Sequence, residues 1–252
     1  KEATQPRFQA VMLQKNMSWE ALNAKTRRSI RHAEKCGVMI HEGEDQLNHF
    51  AEVMKLTEHR KKIHLRSAEY FKRLMSLYGE RAVLMTASLN LKQRHREITE
   101  LLRELQEKSH ELNKNEKEQI VNLNREQEFL EEKMQEGASE VTLCGLLALI
   151  QDDQMEVLYA GTHSEYLTYR APYLTHWKLF EKAQKMGIRR CNLGGVEGTL
   201  DDGLSVFKGN FPVQIEEMIG EFEVAVMPVL SLLTNQGITW LKAVRRWKVK
   251  KC

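Results

Sequence analysis

Hydrophobic positions along the chain switch repeatedly between helical and strand spacing. From Ser18 to Gly37 a capping residue, Ser18, precedes Trp19, Leu22, Ile30 and Ala33, and a glycine follows Lys35 and Cys36, so the pattern predicts a helix. A short strand over Val38–His41 leads into a second helix through Phe50, Val53, Met54 and Thr57. A third follows over Ser67–Tyr78, carrying Tyr70, Phe71, Leu74 and Leu77. Arg81–Leu89 alternates and reads as a strand. Later come two strands, Val141–Ile150 and Met155–Tyr159, joined by an Asp152-Asp153 turn. A helix then opens at Pro172, carries Leu174, Trp177, Phe180, Ala183 and Met186, and stops at Gly187. A strand over Ile188–Leu193, a glycine-rich loop through Gly194, Gly195, Gly198 and Gly203, and a strand pattern over Val213–Val226 complete the series. Alternating helices and strands predict an α/β (α+β) domain around a mixed sheet.

Between Leu91 and Gly137 the pattern changes. Aromatic residues nearly vanish, Glu, Lys, Asn and Gln dominate, and neither Gly nor Pro interrupts before Gly137. Ile98, Leu101, Leu105 and Leu112 fit coiled-coil spacing before Asn113-Lys114-Asn115, and Ile120, Leu123, Leu130 and Met134 fit it afterwards. An antiparallel helical hairpin and a single long helix both satisfy this spacing. The Asn-rich turn and the return of strand pattern at Val141 favour the hairpin, whose arms would each extend roughly 30 to 35 Å.

The chain has 252 residues, 42% hydrophobic and 29% charged, enough for one large domain or two small ones and inconsistent with a disordered or low-complexity chain. Val141–Ile150 is half the length that crosses a bilayer. With no signal-like segment near Lys1 and with Cys36, Cys144, Cys191 and Cys252 scattered, a cytoplasmic location is expected. The opening on Lys1 reads as a fragment. The formal charge of +3 is too small to imply a polyanion partner, so its distribution matters more. Lys25, Arg27, Arg28, Arg31 and Lys35 form a basic face on the first helix. The carboxyl-terminal segment, 229–252, reads as a basic helix carrying Trp240, Arg245, Arg246, Trp247 and Lys248. Residues 91–137, by contrast, hold nine Lys/Arg against twelve Asp/Glu, a net −3 that suits phosphate poorly. Among the nine histidines no HExxH or HxxxH falls on a helical pattern, and no metal is expected.

Several phrases, in this order, carry a resemblance: Gln5-Pro6-Arg7-Phe8; Thr26-Arg27-Arg28-Ser29-Ile30-Arg31 leading to Gly37-Val38; Thr57-Glu58-His59-Arg60 with Arg66 and Tyr70; and Leu158-Tyr159-Ala160-Gly161. After these come Ala171-Pro172-Tyr173 ahead of Trp177, Gly194-Gly195-Val196-Glu197-Gly198, Phe207-Lys208, and Ile219-Gly220-Glu221-Phe222. Together they resemble the Fem family (FemA-, FemX- and MurM-like) of bacterial aminoacyltransferases in cell-wall synthesis. The resemblance implies a GNAT-like acyltransferase domain over 1–90 and 138–228, the coiled-coil arm 91–137 inserted in it, and a first domain of the tandem that is largely absent. It further implies transfer of an amino acid from aminoacyl-tRNA to a stem-peptide amine of lipid II or UDP-MurNAc-pentapeptide. No cofactor is expected, and the basic carboxyl-terminal segment with Trp240 and Trp247 suits either tRNA or peripheral contact with the inner membrane face.

Aminolysis of an aminoacyl ester needs a positioned amine and a group that stabilises the oxyanion, not an enzyme nucleophile. Lys208 matches the family lysine near the ester, and Phe207 precedes it among the substrate-binding positions. Arg66, Tyr70 and Tyr159 match positions that contact the precursor, where a guanidinium and phenols suit phosphate or carboxylate groups. Arg66 and Tyr70, four apart, are expected on one face of a helix. Arg27, Arg28, Arg31, Arg245, Arg246 and Lys248 are candidate tRNA contacts. Each also has a plainer reading, as a surface lysine, an arginine over a half-buried tyrosine or a solvated basic helix. The pyrophosphate loop of an acetyl-CoA enzyme is missing after Tyr159, where Ala160-Gly161-Thr162-His163 stands. The competing function is a non-catalytic module whose coiled coil binds RNA or protein.

Overall fold

The computed structural model describes residues 6–107, 113–196, 203–220 and 222. Among these, one mixed sheet is built from β1 (Phe8–Leu13), β2 (Met39–Glu42), β3 (Ala82–Asn90), β4 (Glu140–Gln151), β5 (Gln154–Thr162), β6 (Arg190–Val196) and β7 (Gln214–Glu217). The strands lie in the order β2-β3-β4-β5-β6-β1-β7, and every neighbouring pair is antiparallel except β5 and β6. The helices are α1 (Ala24–Lys35), α2 (Leu47–Lys61), α3 (Ala68–Tyr78), α4 (Leu91–Gln106), α5 (Lys114–Gln135), α6 (Ala171–Lys185) and the short α7 (Gly203–Lys208).

Helices cover both faces of the sheet, which explains why Val141–Ile150 is apolar at successive positions rather than alternating. Along β4, Leu146, Ala148 and Ile150 join the larger core with residues of α1 and α6, whereas Leu147 points to the other side. There it packs with Leu84 of β3, Phe50 and Met54 of α2, and Phe71 and Met75 of α3. The parallel pair β5 and β6 is connected through α6, as a parallel crossover requires.

Three local expectations change. The first helix begins at Ala24 rather than Ser18, because Ser18 caps only a turn, its Oγ accepting from Ala21 N–H at 3.3 Å. Asn23 is the true cap, its side chain accepting from Thr26 N–H at 2.8 Å. Gly194 and Gly195, expected in a loop, belong to β6, and Gly203 opens α7. The strand expected over Val213–Val226 shortens to Gln214–Glu217. Met218 N–H donates to Arg7 O at 2.7 Å as the ladder ends, and residues 221 and 223–252 lie outside the described residues.

Between the adjacent strands β3 and β4 stand α4 and α5. Asn90 caps α4 by accepting from Gln93 N–H at 2.9 Å. Asn113 and Glu116 form a reciprocal capping box on α5, with bonds of 3.0 and 2.9 Å, so the Asn-rich segment does start a new helix. The seam buries Ile98, Leu102 and Leu105 against Leu123 and Leu130, and these residues are continuous with the main core. One charged residue enters it: Arg94 lies with its side chain 6% exposed and grips Glu126 with two bonds, of 2.7 and 3.0 Å.

Candidate functional site

The parallel pairing of β5 and β6 covers only Gln154–Glu156 against Arg190–Asn192. Beyond that point each strand carries an irregularity. In β5 the register against β4 shifts between Leu147–Tyr159 and Ala148–Val157, so Leu158 is an extra residue, a β-bulge. In β6, Gly194 has φ +83°, a left-handed conformation that favours glycine, and its N–H is held by Asn192 Oδ1 at 2.8 Å. The two strands thus part into a fork whose floor is Val157 and Gly194.

Lys208 reaches into this fork from α7. Its residue is 5% exposed, and Nζ donates to Gly195 O at 2.6 Å. A Cβ added to Gly194 would stand 3.7 Å from that nitrogen and 3.8 Å from Val157 O, ordinary contact distances that put Gly194 directly beside the ammonium. The short helix is anchored by an aromatic cluster. The Phe207 ring lies 5.1 Å from Tyr173, 5.0 Å from His176 and 5.5 Å from Phe211, so Phe207 spends much of its surface on packing beside Lys208. His176 donates from Nδ1 to Pro172 O at 2.8 Å. Its pKa is pushed down to about 4, first by burial and further by the Lys208 charge, so the ring is neutral at physiological pH.

On the opposite face of the sheet, Arg66, Tyr70 and Tyr159 come together. The Leu158 bulge turns Tyr159 away from the side that carries Met155 and Val157 and onto the side of α2 and α3. Its ring meets Phe71 at 5.0 Å and Tyr70 at 6.3 Å. Arg66 is not on a helix face as expected. It precedes Ser67, the cap of α3, and from this loop places its guanidinium 5.2 Å from the centre of the Tyr70 ring. Burial raises the Tyr159 pKa, reinforced by Tyr70 and countered by Arg66, so the half-buried Tyr159 phenol stays protonated beside the guanidinium.

The basic helix is joined to the Lys208 segment. Asn210 O accepts from Asn23 Nδ2 at 2.7 Å and from Thr26 Oγ1 at 2.6 Å, pinning the start of α1 two residues beyond Lys208. Arg28 and Arg31 are exposed and Arg27 half-buried. Arg31 stacks on Trp19 at 5.3 Å, which itself packs edge-on against Trp177. Arg245, Arg246 and Lys248 lie outside the described residues. No described helix is long and apolar enough to cross a membrane.

Sequence reasoning missed His176, Gly194 and the bulge at Leu158. The Gly194-Gly195 pair was the available signal, since adjacent glycines in a strand pattern mark an irregularity or a close approach. Here both apply: a side chain at Gly195 would overlap the ring of Pro6.

The chain as a whole is similar to known proteins. The chain is 25% identical over 242 residues to the lipid II:glycine glycyltransferase of Staphylococcus haemolyticus (strain JCSC1435), covering 87% of the chain and 57% of that protein. It is 24% identical over 267 residues to the enzyme of the same name from Staphylococcus aureus (strain bovine RF122 / ET3-1), covering 94% of the chain and 63% of that protein. The chain therefore spans about six-tenths of the length of these curated relatives. Its fold matches the crystal structure of FemX with a TM-score of 0.68 at 22% identity, over 92% of the chain and 65% of that structure. The sheet and its helices are accordingly those of a GNAT-like α/β fold. The FemAB family model matches residues 1–235, and the chain belongs to the FemAB family.

Proposed function

We propose that this chain carries the acyl-transfer site of a tRNA-dependent aminoacyltransferase that adds an amino acid to a stem-peptide amine of a peptidoglycan precursor, lipid II or its UDP-linked counterpart. The observation that carries this reading is the buried Lys208 ammonium in the fork between β5 and β6. Attack of an amine on an ester carbonyl gathers negative charge on one oxygen, and a cation fixed in a site with little water stabilises that charge strongly. The bond from Nζ to Gly195 O fixes the position of the Lys208 ammonium in the fork.

In this reading the donor ester lies on the Lys208 side, with the acceptor stem of the tRNA along the basic face of α1. The precursor binds across the sheet at Arg66, Tyr70 and Tyr159, where a guanidinium and two phenols suit its phosphates. The fork is then the passage through which the amine reaches the ester. Residues 1–90 and 138–228 form the acyltransferase domain, 91–137 an inserted arm, and a preceding domain completes the precursor site. The names of the staphylococcal relatives support lipid II as the acceptor, which implies peripheral contact with the membrane that holds it.

The test uses the full-length protein with charged tRNA and lipid II. Lys208→Met should lower kcat by roughly 10²- to 10³-fold with little change in precursor affinity, the loss expected for one oxyanion-stabilising donor. Arg66→Ala should chiefly raise KM for the precursor. Near-normal turnover in Lys208→Met would remove the assignment, and turnover in neither enzyme would favour a binding module.

A further inference from the structure

On the side of the sheet that carries α2, the apolar surface at Leu84 and Leu147 gives way toward the arm to a polar strip. Thr86 and Ser88 of β3 and Thr142 of β4 form it, with His41 of β2 at its edge. A groove of about 480 Å³ lies over this strip, bounded by His49, Glu52, Val53 and Leu56 of α2 and by Glu140 and His163. Its floor is fixed by its own hydrogen bonds. The buried Ser88 hydroxyl donates to Glu140 Oε1 at 2.6 Å, so it accepts from His41 Nε2 at 2.8 Å. Thr86 donates to Gln46 Oε1 at 2.8 Å. Among the described residues, two carboxylates, Glu52 and Glu140, line the groove and no lysine or arginine does. His163 adds no compensating charge, since burial lowers its pKa, and its Nδ1 is buried without a hydrogen-bond partner.

We propose that this groove is a second ligand site, for a molecule carrying a primary ammonium. Such a group brings three donors and one positive charge to a surface whose unspent capacity is accepting and negative. Phosphate and carboxylate ligands are disfavoured there by the same two carboxylates. A neutral polyol would satisfy the acceptors but leave the charge uncompensated. The site goes beyond the acyl-transfer reading: the Phe50 and Met54 face of α2, packed toward Phe71 and Tyr159, separates it from the precursor cluster.

The full-length protein is titrated with n-butylamine, with glycinamide and with n-butanol, the uncharged counterpart of the first, while the ring resonances of His41, His49 and His163 are followed by NMR. Saturable shifts of these rings are expected with an amine and not with the alcohol. The stronger of the two amines tells whether a side-chain amine or a peptide amino terminus is preferred. Glu52→Gln, an exposed helix position that folding should tolerate, and Glu140→Gln should each weaken amine binding about fivefold, the size of one partly solvated ion pair. Glu69→Gln on α3 should leave it unchanged. Equal shifts with n-butanol, none with either amine, or unaltered binding in both glutamine variants would overturn the proposal.

Discussion

Removing the Arg94 guanidinium should loosen the root of the helical arm. Arg94 sits in the first turn of α4 with its side chain 6% exposed, bonded through Nε and Nη2 to the two oxygens of Glu126. Burial works against its charge, but the bond and attraction of Glu126 prevail and hold the guanidinium above its ordinary pKa. Arg94→Ala leaves the Glu126 carboxylate beside Tyr169 and Cys36 without a counter-charge. Loss of one partner of a buried pair costs about 3 to 5 kcal/mol. Glu126 is 23% exposed, so water can reach it, and the lower end, about 3 kcal/mol, is expected. For a chain of this length that corresponds to roughly 6 to 12 °C in Tm. Urea denaturation followed by Trp fluorescence measures it. The double variant Arg94→Met with Glu126→Met, which removes both charges and keeps the volume, should recover most of the loss. If Arg94→Ala costs under about 1 kcal/mol, the pair is no stronger than a surface bridge. A double variant no better than the single one would trace the effect to the packing of the arginine stem, not to a stranded carboxylate.

Acid should destabilise the chain through His176. Its native pKa, about 4, lies below the ordinary 6.5, so its contribution is complete above pH 6.5 and is lost as pH falls from 6.5 toward 4, about 3 kcal/mol in all. His176→Phe should flatten stability across that window, and parallel curves for the two proteins would refute the assignment. The buried Tyr169 hydroxyl stands near the Glu126 carboxylate, which adds to burial in raising its pKa, but at a geometry that closes no hydrogen bond. Tyr169→Phe should therefore match or exceed wild-type stability in urea, whereas a loss of about 1 kcal/mol would reveal a hydrogen bond. Burial pushes the Cys36 thiol up to about 11 and those of Cys144 and Cys191 to about 12. At pH 8 a disulfide reagent should leave all three intact until the chain unfolds, and mass mapping of any of them in native protein would contradict their burial.

Elements with strong periodic signals and true caps were legible in the sequence. Asn113 followed by Glu116 wrote the start of α5 into four residues, and Pro172 with Gly187 bracketed α6. Ser18 misled because a capping residue reports only a local hydrogen bond, and Trp19 and Leu22 are apolar for tertiary reasons. Trp19 meets Trp177 edge-on at 5.4 Å, and Leu22 is buried in the core ahead of the helix. Arg66 misled in the complementary way, since spacing of four implied a shared helix face, yet it stacks on Tyr70 from outside the helix that Ser67 caps.

The candidate site was half legible for a deeper reason. Which residues belong to it is a matter of side-chain chemistry, which sequence displays directly, but which face each one occupies depends on parity along β5. Counting by twos from Met155 and Val157 would put Tyr159 on the Lys208 side. A single extra residue, Leu158, reverses that parity and sends the phenol to the opposite face, where Phe71 and Tyr70 receive it. The bulge also coincides with the point where β5 and β6 cease to pair, so one irregularity both opens the fork and divides the two groups of side chains across it. Deleting Leu158 would restore a regular ladder against β4 and return Tyr159 to the Lys208 face. The fork therefore depends on the register of β5, which composition and periodicity do not encode.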